Sequence, residues 1–134
     1  MPKLLVDAFD GDAELLAWVE TLREPWQREI VRLLTEPKSK EARLRRADAM
    51  AERLLLTMEA ERELPLAIVL RLKRTPKAMI GWECMPLERR RNYLLVYFGA
   101  KGAQAKETQM VRLVAACVAT AKRASCGGRA QDRS

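Results

Sequence analysis

Two basic stretches carry the side chains best suited to binding chemistry: K-S-K-E-A-R-L-R-R, from Lys38 to Arg46, and K-E-T-Q-M-V-R, from Lys106 to Arg112. Arginine holds carboxylate or phosphate through a planar, bidentate fork. Arg43 and Arg46 are three apart, so on a helix their charged ends converge beside one stripe. Lys38 precedes them at the start of that helix, where backbone N–H groups also attract negative charge. Arg112 occupies the matching point of the later stretch. These residues form a candidate rim for an anionic small ligand. The simpler reading takes precedence: arginines beside a core stripe tie helices together through acids such as Glu29 or Glu41. Trp18, Trp82 and Tyr93, with Trp26 and Tyr97, are candidates to line a cleft between the two halves. Their simpler reading is core, since each falls on an apolar stripe. Arg89, Arg90 and Arg91 read as a solvated face.

Catalysis has little to work with. The chain of 134 residues has no histidine, which removes Ser-His-Asp and Cys-His mechanisms together with the commonest metal ligand. Its six glycines form neither GxGxxG nor GxxxxGK. Cys84, Cys117 and Cys126 are widely spaced and never in CxxC, so neither a zinc site nor a disulfide framework is indicated. Three free thiols in a reduced, cytoplasmic setting are expected, with Cys117 buried. Carboxylates recur at helix-surface spacing among lysines and arginines, where solvated pairing explains them. No cofactor, no metal and no enzymatic activity are expected. The net charge of +7 favours acidic partners such as nucleic acid, anionic lipid or an acidic protein. No secretory leader is evident, and the apolar runs are too short for a membrane span.

The elements that must position these residues read as helices. Asp10-Gly11-Asp12 is a turn, and Asp12 caps a first helix over residues 13–22 with Leu15, Trp18, Val19 and Leu22 on one face. Pro25 opens a second helix, with Trp26, Ile30, Leu33 and Leu34 inward. A long third helix covers residues 38–63 and buries Ala47, Met50, Ala51, Leu54 and Met58, supported by Leu44 and Leu55. Pro65 starts a helix over 66–73, and Thr75-Pro76 reads as cap and first turn of a short one through Trp82. Helices over 87–98 and 106–122 follow, the last with Met110, Val111, Val114, Cys117 and Val118 inward. The runs 93–98 and 66–70 also fit buried strands locally. The helical spacing of their counterpart in the first half, residues 28–34, decides for helix. Residues 1–124 are expected to make one compact all-α domain, and the polar tail 125–134 to be disordered.

The order of elements repeats. Trp18 and Trp82 are 64 apart, each followed by a proline break at Pro25 or Pro86. Arg28-x-Ile30-Val31 aligns with Arg91-x-Tyr93-Leu94 at offset 63, and Lys40-Glu41-Ala42-Arg43-x-x-Arg46 with Lys106-Glu107-Thr108-Gln109-x-x-Arg112 at offset 66. Two copies of a short-helix, helix, long-helix unit, about residues 12–63 and 65–122, are expected to pack with pseudo-twofold symmetry.

Residues 65–122 resemble the bacteriocin-protection YdeI/OmpD-associated domain family. The residues that carry the resemblance are Pro65, Trp82, Met85-Pro86, Arg89-Arg90-Arg91 with Tyr93, Ala100-Lys101, and Glu107-Thr108-Gln109-x-x-Arg112. Gln109 stands where the family has arginine, and the second copy carries three extra residues near Gly102. The first half resembles the same motif, keeping both arginines in Glu41-Ala42-Arg43-x-x-Arg46. The resemblance implies a protective binding protein that sequesters a peptide antibiotic or masks its target. A small basic nucleic-acid-binding module is the alternative that the charge alone favours, and steep loss of binding with salt would mark it.

Overall fold

The computed structural model describes residues 3–123. Among these residues there are eight α-helices and no strand, with 82% of residues helical. The all-α class holds, and residues 93–98 and 66–70, which fit strands locally, lie in helices. The expected tail, residues 125–134, falls outside the described residues. The chain divides into two compact units, Met1–Glu59 and Ala60–Ser134.

In the first unit, α1 (Lys3–Ala8) forms from a stretch too short and mixed to announce itself as a helix. It matters because Leu5 and the following Phe9 are both buried. Asp12 caps α2 (Ala13–Glu20) as expected, accepting a 3.0 Å hydrogen bond from the Leu15 N–H. Pro25 lies in the first turn of α3 (Glu24–Thr35), where its missing N–H costs nothing. The long α4 (Lys40–Arg62) starts two residues later than expected, with the Ser39 hydroxyl accepting from the Ala42 N–H at 3.1 Å. Met50, Leu54 and Met58 are buried on it as expected. Leu44 is not: it stands 58% exposed, one turn beyond the covered part of the stripe. Thr57, a polar residue on that face, is fully buried because its hydroxyl donates to the Arg53 carbonyl at 2.8 Å.

The second unit comprises the end of α4 with α5 (Leu66–Arg74), α6 (Ala78–Cys84), α7 (Leu87–Gly99) and α8 (Ala103–Arg123). Thr75 and Pro76 do not open α6. Thr75 instead closes α5, its N–H reaching Leu72 and its hydroxyl donating to the Arg71 carbonyl. Lys77, in a left-handed conformation, precedes α6. The core gathers Ala60, Ile68, Leu72, Ala78, Trp82, Met85, Leu94, Met110, Leu113 and Cys117. α8 buries Met110 and Cys117 as expected, with Val114 and Val118 packed against the core, but Leu113 and Thr120 are buried as well and Val111 is not. Leu113 is sealed while Val111 stands 52% exposed. α6 packs most extensively on α8, and Gly81 marks their closest approach, against the backbone of Cys117.

Ion pairs fasten this unit. Arg71 holds Glu107 bidentately at 2.6 and 2.9 Å, joining α5 to α8. Arg91 holds Glu61 through Nε and Nη2, joining α7 to the end of α4. The side chains of that second pair are only 12% and 14% exposed.

Candidate functional site

Arg43 and Arg46 of the first basic stretch are occupied within their own unit. Arg43 Nε donates to the Pro37 carbonyl at 2.6 Å, and Arg46 Nη1 to the Leu33 carbonyl at 3.1 Å. Arg46 also lies 3.6 Å from Glu36. Leu33 is in the last turn of α3, whose carbonyls have no helical partner, so Arg46 works as a C-terminal cap across the α3–α4 corner. Glu29, named as an arginine's partner, is held by Arg32 at 2.7 and 2.9 Å, and that guanidinium keeps its carboxyl below the usual range. Lys38 is exposed at the corner, and Arg112 is exposed on α8. Trp18 and Trp26 are half-buried, with the Arg53 guanidinium 5.6 Å from the Trp26 ring. Tyr93 is half-buried on α7, and Trp82, at 6% exposure, belongs to the core of the second unit.

Trp82 also forms part of a recess. Ala60, Glu61 and Arg62 at the end of α4, Leu64 after it, Trp82 on α6, and Leu87, Arg90 and Leu94 on α7 enclose about 250 Å³. Spacing along α7 places Leu87, Arg90 and Leu94 on one face, at i, i+3 and i+7. The open surface of the wall is more polar than apolar, with Leu64 and Leu87 as its accessible aliphatic side chains. The charged groups in it divide unequally. Glu61 is already neutralised by Arg91. Arg90 is half-buried, its guanidinium carbon 5.8 Å from the centre of the Trp82 ring, and its buried Nε has no hydrogen-bond partner. A guanidinium in such a cation–π contact is drawn towards the ring while its Nε keeps an unused donor. α7 adds a start without a side-chain cap, and the positive end of its dipole lies at Leu87. The recess therefore combines a positive donor that has no acceptor with a wall of mixed polarity, which suits an anion.

Arg90 did not stand out in the sequence, where Arg89, Arg90 and Arg91 read as one solvated face. The signal was present in the spacing: position 90 follows Leu87 by three residues and precedes Leu94 by four, so it sits on the apolar stripe. Arg91 leaves the solvated face too, drawn into its pair with Glu61.

Neither described cysteine offers a thiolate. Cys117 is free and fully buried, and burial pushes its thiol up to about 11, far from thiolate at neutral pH. Cys84 is disulfide-bonded, which overturns the expectation of three free thiols. Wide spacing in the chain says nothing of distance in space, and the cysteine pattern therefore no longer argues for a reducing compartment. Cys126 lies outside the described residues. Among the described residues, no group of three or more Asp, Glu or Cys could hold a metal ion. No described helix is long and apolar enough to cross a membrane. No protein-family model, curated protein or solved structure matches the chain.

Proposed function

We propose that this chain is a non-enzymatic binding protein of the bacteriocin-protection kind, which sequesters a peptide antibiotic or masks its target. The recess of the second unit is its ligand seat. The observation that carries this reading is Arg90, a guanidinium with an unpartnered buried Nε, beside Trp82 at the wall of that recess. Both residues belong to the stretch that resembles the protective family.

A duplicated origin is part of the same proposal. In each unit a basic side chain near the start of the long helix reaches back to the third residue from the end of the preceding helix. Arg46 does so to the Leu33 carbonyl, and Lys106 to the Tyr97 carbonyl at 3.1 Å. The two corners are alike in kind, although the alignment pairs Lys106 with Lys40 and Arg46 with Arg112. The support for two copies is therefore the repeated order of elements. On this reading Arg43 and Arg46 shape their corner, and Arg90 takes over the ligand-binding part.

The test is a protection assay. Sensitive cells expressing the wild type, Arg90→Gln or Lys73→Gln are challenged with a panel of peptide antibiotics. The wild type and Lys73→Gln should raise the inhibitory concentration of at least one peptide. Arg90→Gln should lose about tenfold of that effect, the worth of one charged hydrogen-bonding contact, at an unchanged melting temperature. Absence of protection by the wild type across the panel, or full protection by Arg90→Gln, would refute the proposal.

A further inference from the structure

We infer that the recess binds the C-terminal residue of a peptide, its free carboxylate on Arg90 and its aliphatic side chain against Leu64 and Leu87. The inference rests on the recess being the ligand seat and names the chemistry that seat accepts.

Four observations lead to it. The first is the state of Arg90. A half-buried guanidinium loses hydration, and its buried Nε lacks a compensating acceptor, so the site is unfinished without an anion. The second is the disposition of Glu61. It is the one carboxylate in the wall, and Arg91 holds it with two hydrogen bonds, so it is not spent on Arg90. The third is the placing of the fork. The Arg90 guanidinium carbon lies 5.8 Å from the centre of the Trp82 ring, so the ring helps hold the charge at the wall of the recess. A carboxylate matches a guanidinium fork with two parallel bonds.

The fourth is size and polarity. About 250 Å³ lies just below the usual range for drug-sized ligands, roughly 300–1,000 Å³, and suits a single residue. Leu64 and Leu87 give that residue an aliphatic side to lie against, within a wall that is otherwise largely polar. A bare phosphate would leave that side wet and unused. Leu87 is 45% exposed in the unliganded chain, and covering it adds apolar burial to the gain from the charge. Capture of a terminal carboxylate is also one of the recurring modes of peptide recognition.

The experiment uses the full chain, labelled with ¹⁵N, and follows the Arg90 Nε–H and Trp82 Nε1–H signals. The probes are N-acetyl-L-leucine, its neutral amide, and inorganic phosphate. N-acetyl-L-leucine should shift both signals saturably, with a dissociation constant on the order of 1 mM for so small a ligand. The amide and phosphate should bind about tenfold more weakly or worse. Arg90→Gln should lose the Trp82 shift and Arg90→Lys retain part of it, while Lys73→Gln, exposed on α5, behaves as wild type. A spectrum of unchanged dispersion shows that each variant is folded. Equal binding of the amide, phosphate as strong as N-acetyl-L-leucine, or no saturable shift would each overturn the inference. Binding in a chain that protects no cell would uphold the carboxylate seat and remove the protective role. Protection without any N-acetyl-L-leucine shift would do the reverse.

Discussion

Replacing Gly81 with alanine should cripple the second unit, although alanine is the better helix former. A β-carbon at this position would lie 1.7 Å from the Cys117 carbonyl oxygen, 2.5 Å from its carbon and 3.0 Å from its Cα. All three atoms are backbone, so no rotamer change relieves the overlap. Ordinary contact begins near 3.4 Å, and restoring it at the oxygen requires α6 and α8 to part by roughly 1.7 Å. Gaps of about 0.5–1 Å already forfeit a quarter to a half of the dispersion attraction across an interface. The interface at stake is the most extensive in the unit and includes Ala78, Trp82, Leu113 and Cys117, all buried. The cost should be about 3–5 kcal/mol, against a gain of about 1 kcal/mol from removing a helical glycine. With total stabilities of about 5–15 kcal/mol, that is a large share. Thermal unfolding followed by circular dichroism should show Tm falling by at least about 10 °C. An unchanged or higher Tm would mean that helix spacing here is not set by the missing side chain.

Two further outcomes are expected. Glu61→Gln should cost about 3 kcal/mol in urea denaturation, because it strands Arg91 in a site where the paired side chains are only 12% and 14% exposed. Glu61→Leu with Arg91→Met should recover most of that loss, and a cost below about 0.5 kcal/mol for Glu61→Gln would contradict the burial argument. Cys117 should make the protein less stable as pH rises. Its thiol is raised from 9.0 to about 11 by burial, so between those values the unfolded chain has lost the proton and the folded chain keeps it. Stability should be unaffected by this group below about pH 9 and should fall by about 2–3 kcal/mol through pH 11. Cys117→Ala should flatten that part of the pH profile, and an identical slope in both proteins would refute the assignment.

The helices themselves were legible because their causes are local. The 3.6-residue stripes of α2, α3 and α4, the Asp12 cap and the proline at the start of α3 each depend on a few neighbouring residues. α1 was missed for the same reason: it is six residues long and has no cap or stripe to read. Thr75-Pro76 misled because a threonine before proline serves a helix end as readily as a helix start, and here the hydroxyl turned back to Arg71. On α8 the apolar residues span a wide arc, so composition alone did not say that Leu113 faces inward and Val111 outward. The seating of α8 against Gly81 of α6 decided it, since so close a contact constrains the rotation of both helices. The partners of charged groups were further out of reach. Arg71 meets Glu107 across 36 residues and Arg91 meets Glu61 across 30, distances in the chain over which no sequence period operates. Those pairings consumed two of the basic residues and left Arg90 beside Trp82 without an acceptor for its buried Nε. The sequence alone determined which segments are helical and which residue types were on hand. Only the tertiary structure decided which arginines became ties and which one was left facing a recess, because that choice depends on which charges meet first in space.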